Sequence, residues 1–446
     1  MSNAGAGLPS GANGVYTVDF TKGKYVENLT GLGTYLGGCP TTSTNKSPAV
    51  LVIPVEFSDV TASSKGYSVE KIEKAFNGGA GETDYYSVHD YFYLSSYGQL
   101  DLDITVLNYW FRPSKSSSYY INLCENNSQG IPNLGAQIII DEFLASVEGS
   151  MDLSAFDSDG NTIIDAIVLI NTLEINSEID MNWAYRYWNY YTDDDNYYYE
   201  YDGVSANDYM WASYQFLFEG YDEEGYVSFD HVNSLNTFTY IHEFSHILGA
   251  DDYYDYTGKN EPMYGCDMMD TLCGDHSAFT KFNYGWLTTS RLITAESTVT
   301  VQLEAFAKAG DTIIIANDWD ENLGLYQEYY IVAYYTNEGL NAGDDAGFFA
   351  RDGIVVYHVN ASLYAYEING TIYYDVYNTN TDQSDSYGTV DNLIEFVKSP
   401  ADTFTYIVGD SLSANVTNDN GAKIAYTFTV DAIENGVATL TFTKNA

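Results

Sequence analysis

The chain has 446 residues and carries 63 Asp and Glu against 17 Lys and Arg, a formal charge of −46. So few cations cannot displace the counterions of a nucleic acid, and an anionic membrane surface repels such a chain. Disorder, the usual companion of so much acid, is countered by 45% hydrophobic and 16% aromatic residues, and no run reaches the ~18 apolar residues of a membrane span.

The length suggests two or three domains. Residues 1–45 open on Met1-Ser2-Asn3-Ala4, which reads as an expression scar, and continue Gly-, Ser- and Thr-rich as a leader- or propeptide-like tail. A natural export signal is expected to have been trimmed there. AVLVIPVEF (49–57) is a short apolar run typical of a buried strand. Helical spacing follows over 69–76 and 84–93, strand-like alternation over 100–107, and an amphipathic helix over 136–147. IIDAIVLI (163–170) reads as a second buried strand. Helices alternating with buried strands predict an α/β or α+β domain with a mixed central sheet.

From 181 to 230 the chain breaks into aromatic and acidic clusters, read as a surface excursion that ends near a strand at 208–216. Helices are expected at 237–249 and 277–284. After Trp286 come short β runs, closing on two alternating strands around Asn435-Gly436, a strong hairpin signal. The reading is a catalytic domain over 46–290 followed by an all-β, sandwich-like domain over 291–446.

Within the 237–249 helix stands His242-Glu243-Phe244-Ser245-His246. Histidines four apart leave one helix face and can meet one metal, with Glu243 placed to take a proton from a water there. Gly249 comes where the helix must stop, a place for positive φ. Asp252, ten residues after His242, is the candidate third ligand. Asp251 is one residue off that spacing, and Glu261 stands just before Pro262, where a further helix is disfavoured. Three protein ligands plus water is the open arrangement of catalytic zinc.

HEFSHILGADD (242–252) resembles the extended zinc signature of the immune inhibitor A family of secreted bacterial metallopeptidases, in the broader metzincin group. That family carries Asp at the third-ligand place, as Asp252 does here; Ser245 stands where it more often shows Gly. VLVIPVEFSD (51–59) and SVHDYFYLSSYGQLDLDITV (87–106) are similar to its early strand and helix-plus-strand. YGCDMMD (264–270) resembles its Met-turn, GDHSAFTKFNYGWL (274–287) the segment after it, and GIVVYHVN (353–360) with the closing hairpin its C-terminal β region. The resemblance implies a zincin-type fold and a secreted or cell-surface zinc endopeptidase acting on proteins or peptides. Glu243 would serve as general base and then acid, Met269 (rather than Met268) as the Met-turn floor, and Tyr264 or His276 as transition-state stabiliser. The alternative is an extracellular binding or adhesion protein with a vestigial zinc site.

Asp157, Asp159, Asn161, Ile163 (through its carbonyl) and Asp165 place oxygens at alternate positions, the front half of an EF-hand-type loop. A structural calcium ion is expected there, although Val168 replaces the closing Glu. Of the cysteines, Cys266 and Cys273 straddle the Met-turn segment and suggest a staple. Cys39 reads as a free or disulfide-paired thiol, with a thiolate that blocks zinc in an unprocessed chain as the sharper alternative. His89 and His358 are read as packed or hydrogen-bonded residues.

Overall fold

The run at 49–55 forms strand Ala49–Val55, buried along its whole length, in a computed structural model of the chain. The structure describes residues 7–21, 38–43, 46–128, 130–189, 199–221, 227–229, 235–271, 274–342, 351–381, 390–401 and 403–445. Ala49–Val55 runs parallel to Asp103–Val106 on one side and to Ala166–Asn171 on the other. Asp208–Ser213 is parallel to Ala166–Asn171, and Tyr185–Trp188 closes the edge antiparallel. Burial on both faces explains why these central strands read as unbroken apolar runs. Helix Leu134–Val147 lays Ala136, Ile139, Ile140 and Phe143 into the cluster formed with Leu51, Ile53, Leu169 and Trp211. The Trp211 indole N–H donates to the Met181 carbonyl at 2.8 Å.

These elements belong to one compact unit, Tyr35–Gly249; the other consists of Met1–Thr34 together with Ala250–Ala446. The second unit holds a six-stranded sheet in the order Val15–Asp19, Thr289–Ile293, Thr312–Ile315, Glu328–Tyr335, Gly353–Asn360 and Ile394–Phe396. All its pairs are antiparallel except Thr289–Ile293 with Thr312–Ile315. A three-stranded sheet of Thr298–Glu304, Val437–Lys444 and Tyr426–Glu434 shares with it a core of Ile313, Val332, Val356, Phe428, Leu440 and Phe442. The hairpin turn has Asn435 at φ 53° and Gly436 at φ 77°, the twin positive angles of a tight turn matched to strand twist. The molecule is thus mixed α/β, with one unit alternating helix and strand and one rich in β-structure.

Three expectations meet a different arrangement. The tail-like start contains strand Val15–Asp19, hydrogen-bonded to Thr289–Ile293, with Phe20 stacked on Phe282 at 4.0 Å. The compact units divide at 249/250, not at about 290, because the segments after the metal-signature helix pack with the β-rich part. The 181–230 excursion supplies strand Tyr185–Trp188, where Arg186 forms a buried ion pair with Asp208 on the neighbouring strand; the acidic stretch 190–198 lies outside the described residues.

Candidate metal centre

Helix Phe238–Ile247 carries the two histidines. Its start is tied down by Asn236 Oδ1, which accepts the Phe238 N–H at 2.8 Å, and by Thr237 Oγ1 donating to the Tyr86 carbonyl at 2.6 Å. Tyr240 Oη donates to the Ser213 carbonyl at 3.0 Å, anchoring the helix over the C-terminal end of strand Asp208–Ser213. Ser245, fully buried, donates to the Ile241 carbonyl at 2.8 Å, so its hydroxyl is absorbed by the helix's own preceding turn. Gly249 adopts φ 101°, which turns the chain back after the last helical residues.

The Nε2 atoms of His242 and His246 stand 3.3 Å apart with ring planes at 88°. Two nitrogens each about 2.05 Å from a tetrahedral ion are separated by about 3.3 Å. A carboxylate oxygen of Asp252 joins them, the three ligand atoms all lying within 4.8 Å of one another. Two imidazoles and one carboxylate are a donor set that suits zinc. Asp252 is buried whereas Asp251 and Glu261 are exposed, so of the three acids weighed for this place only Asp252 is turned inward. Tyr256, not singled out from the sequence, donates its hydroxyl to Asp252 Oδ2 at 2.6 Å. Such an outer partner orients a ligating carboxylate. Glu243 follows His242 directly and is only 9% exposed.

Met268 and Met269 are both fully buried. The Met269 carbonyl accepts the N–H of Tyr253, the residue after Asp252, at 2.8 Å. Asp267 organises this turn: its oxygens accept the N–H groups of Met269 and Ser277, each at 2.8 Å. Burial pushes the Asp267 carboxyl up to about 7, against the lowering effect of those hydrogen bonds. Tyr264, at φ 50°, packs its ring against Phe404 with the Lys398 ammonium 4.8 Å above it. His276 is buried between Tyr284 and Trp286.

The acidic loop also gathers. Asp157, Asp159 and Asp165 form a second group of convergent oxygens. Asp157 accepts N–H groups of Gly160, Asn161 and Thr162, and Asp165 those of Ser158 and Ala49. Asn161 is exposed, its Oδ1 accepting the Ile163 N–H at 2.8 Å, while Ile163 bridges to Ser205. These bonds are the ordinary turn chemistry of Asp and Asn, and they hold the carboxylates together.

A third group joins His358, Glu328 and Asp419. His358 Nε2 lies 2.9 Å from Glu328 and Nδ1 3.3 Å from Glu395, with the ring stacked on Tyr330 at 4.6 Å. Carboxylates at both nitrogens match an imidazolium donating twice. Burial lowers its pKa, but the Glu328 and Glu395 hydrogen bonds and the Asp419 charge outweigh that and raise it to about 9. His89 is likewise hydrogen-bonded, to Asp90 and Asp101.

Cys39 and Cys266 are among the described residues. Cys39 is buried, and burial, then Asp165, Asp208 and Asp159, pushes its thiol pKa well up, away from a thiolate. Asp165 and Asp208 lie at the starts of strands Ala166–Asn171 and Asp208–Ser213, whereas Tyr240 of helix Phe238–Ile247 meets Ser213 at the other end of the second strand. A buried thiol held away from its thiolate does not suit the zinc-blocking alternative. Cys266 Sγ donates to the Tyr264 carbonyl at 3.3 Å; Cys273, its expected disulfide partner, lies outside the described residues.

Sequence reasoning missed Glu219. Its Oε2 accepts the Thr239 hydroxyl at 2.8 Å, and Thr239 precedes His242 by three residues, on the same helix face. Burial raises the Glu219 pKa, while the Thr239 hydrogen bond and the His242 charge lower it. No motif marks this acid; only the packing of the 214–219 segment against the helix brings it there. No protein-family model matches the chain, and no curated protein matches it.

Proposed function

We propose that the chain is a zinc-dependent endopeptidase with a zincin-type catalytic unit, acting outside the cell on protein or peptide substrates. The observation that carries this reading is the convergence of His242, His246 and Asp252 with Glu243 beside them on the same helix. His242, His246 and Asp252 would hold a zinc ion, which when bound would supply Lewis acidity to a water and to a substrate carbonyl. The protein's own work is positioning and proton transfer. The two imidazoles present ring nitrogens from successive turns of one helix, and Tyr256 fixes the Asp252 carboxylate through its Oδ2. Glu243 accepts a proton from water as its oxygen bonds to the scissile carbonyl carbon. It then gives that proton to the amine nitrogen as the C–N bond breaks. On this reading Met269, buried and hydrogen-bonded through its carbonyl to the Tyr253 N–H, is the Met-turn residue.

Glu243→Gln keeps the shape of the side chain but cannot accept the proton. Hydrolysis of casein or a fluorogenic peptide should fall by about 10²- to 10⁴-fold while bound zinc stays near one equivalent. Chelation should abolish activity in the wild-type chain, and added zinc should restore it. A protein that holds zinc at His242 and His246 yet cleaves no peptide would overturn the peptidase reading in favour of a binding role. The acidic loop, on this reading, holds a structural calcium ion through Asp157, Asp159 and Asp165.

A further inference from the structure

Glu219 closes the short helical segment Tyr214–Phe218 and leads into strand Gly220–Tyr221. Its position is built, not incidental. Asn236 donates both its side-chain amide to the Glu219 carbonyl at 3.1 Å and its backbone N–H to the Leu217 carbonyl at 2.9 Å. The Thr239 hydroxyl then aims the carboxylate along the face of helix Phe238–Ile247 that bears His242. That hydrogen bond holds the carboxylate one helical turn from His242, and it is only partly exposed. Among the described residues no Lys or Arg pairs with it; Lys71, which reaches the same segment, sits over the Phe218 ring at 4.6 Å. A fixed, partly desolvated and unneutralised carboxylate beside a reaction centre favours a cationic group arriving with the ligand.

We propose that Glu219 is a specificity-determining residue that recognises a Lys or Arg side chain of the substrate peptide near the scissile bond. The inference rests on the peptidase reading and names the substrate class for that same site. The Thr239 hydroxyl occupies Oε2, leaving Oε1 for the guanidinium or ammonium. A neutral isostere of the substrate residue offers no charge to that oxygen, so the discrimination is a loss for neutral peptides rather than a clash.

The test uses a panel of fluorogenic peptides in which one Arg is moved through the positions on either side of the cleaved bond, each paired with a Gln counterpart. For the best position, the Arg-to-Gln ratio of kcat/KM should be about tenfold in the wild-type chain and fall close to one in Glu219→Gln. Glu219→Asp, which keeps the charge, should retain part of the preference. An unchanged ratio in Glu219→Gln, or no position at which Arg is preferred, overturns the proposal. A second arm reads binding without chemistry, in the zinc-loaded Glu243→Gln chain. There the Arg peptide should bind about tenfold more tightly than its Gln counterpart, and adding Glu219→Gln should erase that difference. If the wild-type chain cleaves nothing, the peptidase reading falls while this arm still decides the role of Glu219: equal affinity for both peptides overturns it.

Discussion

At the scale of single residues, the convergence of His242, His246 and Asp252 was legible because their spacing is local. His242 and His246 share a face whatever the rest of the chain does, and Asp252 follows within one turn-back of the backbone. Glu219 and Tyr256 were not legible, since each acquires its place through packing or a hydrogen bond that no spacing rule encodes. His358 shows the same limit. It sits in the middle of an apolar strand, and its three carboxylates come from Glu328, Glu395 and Asp419, far apart in sequence. Because the folded pKa of His358 is raised from 6.5 to about 9, its contribution is fully present below about 6.5 and is lost as pH rises through about 9. The urea midpoint should therefore decline between those values, by an amount worth roughly 1–3 kcal/mol. In His358→Gln that decline should largely vanish; an identical pH profile in the variant would remove His358 as its source.

At the scale of elements, the sequence revealed the buried strands best where both faces are covered, as at 49–55 and 166–171. Strand Val15–Asp19 escaped notice because five alternating residues in a Gly-rich context carry little signal and their partner lies far along the chain. Tyr185–Trp188 escaped because an edge strand rich in aromatics resembles the surface clusters around it. The acidic loop matters at this scale. Asp165 accepts the Ala49 N–H at 2.7 Å, linking the starts of two neighbouring central strands. A cation drawn to Asp157, Asp159 and Asp165 would stiffen both strands together. Calcium added to the zinc-loaded protein should raise Tm by a few degrees, about 2–3 kcal/mol at a hundredfold excess over Kd. Asp159→Asn should abolish that rise, and a wild-type Tm indifferent to calcium would argue for a plain Asp and Asn turn.

For the molecule as a whole, the charge of −46 is the dominant long-range force. Few of those acids are neutralised: the described ion pairs draw on a small stock of cations, some of it buried, as in Lys281 with Asp275. Self-repulsion should therefore lower stability at low ionic strength. Raising NaCl from about 0.02 to 0.5 M, which shortens the screening length from roughly 20 Å to about 4 Å, should raise the midpoint of thermal unfolding by several degrees. A midpoint that falls or stays flat would mean that local pairing outweighs the net charge. Among the described residues no helix is long and apolar enough to cross a membrane.

The pairing of Val15–Asp19 with Thr289–Ile293 also sets an order of assembly. Val15–Asp19 must wait for a partner made 270 residues later (289 − 19). At about 5–20 residues per second, that delay is about 15–55 s. During it the whole of Tyr35–Gly249, with its own core, can emerge and close, while the opening segment stays tethered and unpaired. Val15–Asp19 is short, polar at Thr17 and charged at Asp19, a composition that keeps a waiting strand from finding the wrong neighbour. A strand made early is thus among the last to be placed, and a chain lacking it would complete helix Phe238–Ile247 before missing its edge strand.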